Sequence, residues 1–393
     1  MKINKAEIFE LAVPGEPKTW HPVVIRIHTD EGVSGVGEAG LAYGCGHSGA
    51  AGMLANMAEQ FLLGKDPRRI EEIWNILQTQ TFWGYSPGPI FYAAISAIDI
   101  ALWDIKGKLL GQPIHQLLGG PCHDSIRAYA SQVQFGWGAG EEQKYHQPED
   151  LARTTRAMIE DGYDCVKINP VRYDKDGNFL PHLGPDIPGS TLDVMAERVR
   201  AVREAGGRDL DILVEHNSRC SVEAASRLAQ RLEEFDCLYL EEPVHFMDPS
   251  LTRDLKERTR IPLAGGERFY TRWQFLPYLR ERLISLAQPD VCLAGGITET
   301  KKICDLAHIF GIQVQMHVCG GPVCVAASLH VAAAAVNYVF QEHFVRLLRP
   351  GNRSLVLEDY QPVKGYFALP DKPGLGIELN DDVVNRSPKK VIS

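Results

Sequence analysis

The chain has little that would tie it to an oxidising compartment, a membrane or a nucleic acid. Its nine cysteines stand at 45, 122, 165, 220, 237, 292, 304, 319 and 324, an odd number without one C-x-x-C pair. That pattern reads as reduced thiols and excludes a disulfide scaffold. No apolar run reaches the ~20 residues needed to span a bilayer. The most apolar stretch, Val323 to Phe340, is interrupted by Ser328, His330 and Asn337. The opening residues, Met1-Lys2-Ile3-Asn4-Lys5-Ala6-Glu7, lack the apolar centre of a signal peptide. Basic residues are the minority, 41 against 50 acidic, for a net charge of −9 and no long Lys/Arg run. Nucleic acid is therefore excluded as the main partner. The expectation is a soluble, cytoplasmic protein with neither a nucleic-acid nor a membrane partner. An acidic chain that binds an anion would need a local cationic feature, such as a lysine or a metal.

What is present is a large folded chain. Apolar residues make up 45%, too many for disorder. The 393 residues exceed one ordinary domain of roughly 100–200 residues. In the first 120 residues, Val23–His28 and Val33–Ala39 flank a Glu31-Gly32 turn and predict a hairpin. Helical periodicity follows over 49–63, 68–79 and 89–110, so this part predicts an α+β unit. From 126 to 343 short strands alternate with longer helices. The strands are predicted at Ile126–Val133, Cys165–Ile168, Asp211–Glu215, Cys237–Leu240, Pro262–Ala264, Ser285–Ala287, Gln313–Met316 and Tyr338–Phe340. Eight strands with seven intervening helices point to an α/β barrel of (β/α)7β type. The polar, Pro/Gly-rich stretch 171–189 is a long insertion after the second strand, on the barrel face where function collects. Residues 344–393 lack a helical pattern and are expected to return to the N-terminal unit.

Chemistry concentrates at the strand ends. Glu215, Glu241 and Glu267 each follow a short apolar strand, spaced 26 positions apart. One βα unit apart, they converge at the barrel mouth, where three carboxylates repel unless a cation neutralises them; Mg²⁺ is the oxygen-loving choice. Asp290 and His317 continue the series on the next two strands, and a carboxylate beside an imidazole is the arrangement of a general base. Glu342 follows the eighth strand and could exchange a hydrogen bond with substrate. Lys167 ends the second strand, where a lysine is costly to bury unless it faces an anion. The glycine-rich run Phe135–Gly140 lacks the Lys-Ser/Thr of a phosphate-binding loop.

Together these residues resemble the enolase superfamily, and more narrowly its mandelate racemase/muconate lactonizing enzyme-like branch. The matching pieces are Val214-Glu215-His216-Asn217, Leu240-Glu241-Glu242-Pro243, Gly266-Glu267-Arg268, Gln288-Pro289-Asp290, Met316-His317 and Gln341-Glu342. Val36-Gly37-Glu38, Ala97–Asp104 and Leu117-Leu118-Gly119-Gly120 match its N-terminal region and junction. The resemblance implies a modified (β/α)7β TIM-type barrel over 126–343, an α+β capping domain over 1–125, and a C-terminal segment, 344–393, returning to the cap. It implies one Mg²⁺ per subunit on Glu215, Glu241 and Glu267, abstraction of the proton α to a carboxylate, a metal-stabilised enediolate, and a homo-oligomer.

Two departures narrow the reaction. Asn169 stands where many members carry a second lysine, and Asn217 where some acid-sugar dehydratases carry a histidine; His216 falls one residue early. With His317 as one base, syn elimination from a sugar acid is the leading expectation, giving a 2-keto-3-deoxy acid, as in galactonate-type dehydratases. The alternatives are epimerisation or cycloisomerisation through the same enediolate, and a non-catalytic barrel that binds a sugar acid. Asn169, Asn217 and His216 are then candidate substrate contacts. In this architecture the cap loops carrying Trp20, His21 and Tyr43 would close over the distal end of the substrate.

Overall fold

The computed structural model describes residues 1–17, 19–140 and 142–393. Its first sheet is antiparallel and includes a strand that periodicity does not reveal. That strand, β1 (Ile3–Glu10), pairs with β2 (Val23–Thr29), and β2 pairs with β3 (Ser34–Ala39) in the expected hairpin. β1 is hidden because lysines and glutamates interrupt its alternation; one of them, Glu7, is buried through its bond to His28 on β2 at 2.8 Å. Helices α1 (His47–Met57), α2 (Ile70–Thr79) and α3 (Pro89–Leu110) complete this cap. The glycines of β3 have a definite purpose. A Cβ on Gly37 would lie 1.9 Å from the Ala97 carbonyl oxygen, and one on Gly35 would lie 2.2 Å from that of Ala101. The small-residue face of α3 therefore packs backbone to backbone on β3.

A one-turn helix, α4 (Ile114–Leu117), leads into the barrel. Its strands are β4 (Ser125–Ser131), β5 (Cys165–Ile168), β6 (Asp211–Glu215), β7 (Tyr239–Glu241), β8 (Leu263–Gly265), β9 (Leu286–Ala287), β10 (Gln313–Val314) and β11 (Gln341–Phe344). All pair in parallel in chain order, and β11 returns to β4. A parallel bridge from Val314 to Tyr338 joins the β11 segment to β10 and closes the ring. Helices α5 (Pro148–Glu160), α6 (Gly189–Gly206), α7 (Val222–Leu232), α8 (Pro249–Lys256), α9 (Thr271–Arg280), α10 (Gly296–Ile309) and α11 (Pro322–Ala333) fill the seven intervals. The eighth strand differs from expectation. Tyr338–Phe340 makes the closing bridge, and the strand itself begins at Gln341, so Glu342 lies on the strand and not beyond it.

Strand alternation builds the interior in layers. Tyr129, Cys165, Leu213, Tyr239, Leu286 and Phe340 form an apolar floor. Two residues further along the same strands come Ser131, Lys167, Glu215, Glu241, Gln288 and Glu342, all buried. One dyad repeat thus separates the barrel's packing from its polar layer.

The last residues serve both units. β12 (Tyr366–Ala368) pairs antiparallel with the start of β4, and β13 (Lys389–Ile392) pairs antiparallel with β1. The cap is also fastened through buried acids. Glu38 accepts hydrogen bonds from the Gly321 and Cys324 amides at the start of α11, at 2.5 and 3.0 Å. Asp99 accepts from the Thr298 amide and hydroxyl at the start of α10, at 3.0 and 2.6 Å. Each carboxylate occupies the capping place at a helix N-terminus, where free amides and the helix dipole favour an acceptor. Among the described residues, no helix is long and apolar enough to cross a membrane.

Candidate active site

Glu215 and Glu241 are register partners at the ends of β6 and β7, and Glu267 follows β8. One carboxylate oxygen from each lies within 4.8 Å of the other two. Glu215 Oε1 accepts the Asn217 amide at 2.5 Å, whereas its buried Oε2 has no hydrogen-bond partner. Glu241 is better satisfied, accepting from Lys167 at 2.7 Å and from Gln288 at 2.6 Å. Burial, followed by the charges of Glu241 and Glu267, pushes the Glu215 carboxyl well above its ordinary value. Burial also opposes ionisation of Glu267, but His317, Arg268 and Lys167 hold it down at about 2. Three converging oxygen donors, one of them orphaned in the interior, suit a hard divalent cation.

Lys167 stands in the same layer as Glu215 and Glu241. Its ammonium is almost fully buried and sits 3.0 Å from Glu342 as well as 2.7 Å from Glu241. Burial disfavours the charge, but Glu241 and Glu342 hold the lysine well above its ordinary value. Glu342 accepts from Ser131 Oγ at 2.5 Å and from the Val318 amide at 2.9 Å. Despite its burial, the charges of Lys167 and His317 hold it below the usual carboxylate value, so it stands here as an acceptor.

His317 comes next around the ring. Its Nδ1 lies 2.8 Å from Asp290 Oδ2, and its Nε2 lies 3.3 Å from Glu267. Asp290 is fixed in turn by the Cys292 amide at 2.8 Å. Burial works against the imidazolium, yet Glu267, Glu342 and Asp290 raise the ring to about 10. Bonding at Nδ1 orients the imidazole and leaves Nε2 toward the open side.

That open side is a cavity of about 360 Å³. Of the sequence-predicted residues, Glu267, His317, Glu342, Asn217 and Tyr43 are on its wall. Glu215, Glu241, Asp290 and Asn169 stand behind it; Asn169 donates to Asn217 at 2.6 Å. Lys167 stands behind the wall as well, its ammonium between Glu241 and the wall residue Glu342. Three expectations are corrected. His216 points away from the cavity: strand alternation turns it outward from Glu215, and its fully buried ring meets Cys220. Burial lowers its pKa to about 4. Trp20 is fully buried, with its indole donating to Asn352 at 2.7 Å, so it braces the cap loop. His21 stacks on His47 at 4.4 Å and is not among the lining residues.

The wall also includes residues that the sequence did not single out, among them Gln132, Phe135, Arg172, Arg219, Arg268 and Cys319. Their loops lack the periodicity that marked the strand ends. Arg268, adjacent to Glu267, and Arg172, within the 171–189 insertion, carried a positional hint. Arg268 pairs with Glu242 at 3.0 Å and with Glu267 at 2.9 Å.

The fold and this carboxylate–imidazole ring define a class. Residues 150–383 match the enolase C-terminal domain-like family, and residues 9–119 match the mandelate racemase/muconate lactonizing enzyme N-terminal domain. The chain belongs to the enolase superfamily, in its mandelate racemase/muconate lactonizing enzyme-like branch, and is an enzyme. A structure from Salmonella enterica serovar Typhimurium, described as a "putative dehydratase", is 42% identical, with a TM-score of 0.96 and 100% of both chains covered. One from Zymomonas mobilis ZM4, described in the same words, is 42% identical at a TM-score of 0.96, covering 100% of this chain and 99% of that one. A Salmonella Typhimurium member of the enolase superfamily is 40% identical at a TM-score of 0.97, with 100% of both chains covered.

Proposed function

We propose that the enzyme is a Mg²⁺-dependent dehydratase of sugar acids that eliminates water across C2 and C3 on one face. The observation that carries this reading is the position of His317. It is held by Asp290 at 2.8 Å, shares the cavity with Glu267 and Glu342, and among the described residues is the one imidazole on a wall that carries no lysine. A single group can take the C2 proton as the C–H bond breaks, then return it to the departing C3 hydroxyl on the same face. The hydroxyl leaves as water, and the enol so formed becomes the 2-keto-3-deoxy acid. The dehydratase description of two similar structures supports this direction over epimerisation.

Glu215, Glu241 and Glu267 would hold the cation. Mg²⁺ there supplies positive charge against the charge that builds on the substrate carboxylate, and offsets the pull of Glu267 on His317. Lys167 is a positioning residue that holds Glu241 and Glu342 in place through its ion pairs with both. Asn217 and Tyr43 face the substrate space, with hydrogen-bonding groups suited to hydroxyls.

The test is a panel of aldonic and aldaric acids with Mg²⁺, read for 2-keto-3-deoxy product and for deuterium uptake at C2. Keto-acid formation from at least one member, abolished in His317→Asn, is expected. Exchange at C2 without keto acid would refute dehydration.

A further inference from the structure

Three arginines line the cavity, and their charge balance is uneven. Arg268 is neutralised by Glu242 and Glu267. Arg172 and Arg219 are not: among the described residues, neither has an ion-pair partner. Arg172 donates to the hydroxyls of Tyr43 and Tyr173, each at 3.2 Å. Arg219 donates to the Leu180 carbonyl at 3.3 Å. Both are half-buried, and burial followed by the charge of Arg172 lowers the Arg219 pKa. Two like charges therefore share one wall, and no described carboxylate forms an ion pair with either.

They are also held in place. The ring of Phe179 lies 4.5 Å from the Arg219 guanidinium and 5.7 Å from that of Arg172, while Phe135 lies 4.9 Å from Arg172. Arg172 and Phe179 both belong to the long insertion after β5, and Tyr43 reaches Arg172 from the cap. Arg172 of the insertion and Arg219 of the loop after β6 thus line one cavity, both against the ring of Phe179. Such planar forks match carboxylate and phosphate oxygens in bidentate fashion.

We propose that Arg172 and Arg219 bind a second anionic group of the substrate, remote from the carboxylate beside C2, and so make the enzyme selective for dianionic sugar acids. The shared chemistry is a distal oxyanion, supplied either by a second carboxylate or by a phosphate ester. The proposal rests on the dehydratase reading for the near end of the substrate and adds the identity of the far end.

The test uses the full-length, Mg²⁺-loaded enzyme. Calorimetric binding and keto-acid formation are compared for six-carbon aldonates, the matching aldarates and the matching aldonate 6-phosphates. One dianionic class is expected to bind at least about 30-fold more tightly than its monoanionic match, the size of a hydrogen bond between charged groups. Whether the aldarate or the phosphate wins identifies the oxyanion. Arg172→Gln and Arg219→Gln should each erase most of that advantage while leaving aldonate binding within about threefold, and Arg172→Lys should restore part of it. An unchanged melting temperature shows that the variants fold. The proposal is overturned if aldonates bind as well as dianions, if no dianion binds, or if the glutamine variants weaken both classes alike, as a role at the near carboxylate would require. Selective dianion binding without keto acid would overturn the dehydratase reading and leave the selectivity standing.

Discussion

Lys167 donates from Nζ to Oε1 of Glu241 across 2.7 Å, inside a barrel where both side chains are almost fully buried. One ammonium thus serves two neighbouring carboxylates, because Glu342 lies 3.0 Å away on its other side. Removing it would leave two buried negative charges facing each other. Lys167→Met should therefore lower stability by about 3–5 kcal/mol, the usual size when one partner of a buried pair is lost. Urea unfolding measures this. A loss below about 1 kcal/mol would show that the lysine is not the counter-charge.

Glu215, Glu241 and Glu267 should report directly on metal. Mg²⁺ bound to the folded state alone stabilises by about 2.7 kcal/mol at one hundred times its dissociation constant. The melting temperature should rise on titrating Mg²⁺ into EDTA-treated enzyme, and Glu241→Gln should remove most of that rise. Equal responses in both proteins would place the cation elsewhere.

His317 and Asp290 should separate by magnitude. Loss of a general base or acid costs typically 10²–10⁴-fold in rate. His317→Asn should lower kcat by about that range with substrate affinity little changed. Asp290→Asn, which only orients and charges the imidazole, should cost less and shift the pH–rate profile. Calorimetry and initial rates on the same preparations give both numbers.

Buried histidines away from the site set an acid limit on stability. Burial lowers His330 and His343 to about 3. Unfolding returns each to about 6.5, so the unfolded chain binds more protons between those values. Their contribution is complete above about pH 6.5 and is lost as pH falls toward 3. At pH 5.5 each should cost about 1.4 kcal/mol relative to pH 7.5. Urea midpoints at the two pH values check the sum, and His343→Phe should shrink the difference.

The residues that could be read from sequence are those fixed by strand spacing. Glu215, Glu241 and Glu267 recur with the βα unit, and Asp290 and His317 fall one unit apart, so their convergence follows from barrel closure. The same alternation turns His216 outward, and applied strictly it would have removed that residue from the candidates. Trp20 was not legible, because its partner Asn352 lies 332 residues away. Arg172 and Arg219 sit on loops and meet at Phe179 through contacts that no repeat marks. β1 escaped notice because its polar members are paired across the sheet, and pairing leaves no trace in a single strand's pattern.

Glu38 and Asp99 give the cap a further meaning for protein engineering. Each supplies, from the cap, the acceptor that a barrel helix needs for its first amides. A chimera that joined this barrel to another cap would have to bring an acid to both places. Without them α11 and α10 would begin with unmatched interior amide hydrogens, and α11 begins just after His317. Exchange of caps to change substrate range is thus constrained at the root of two helices.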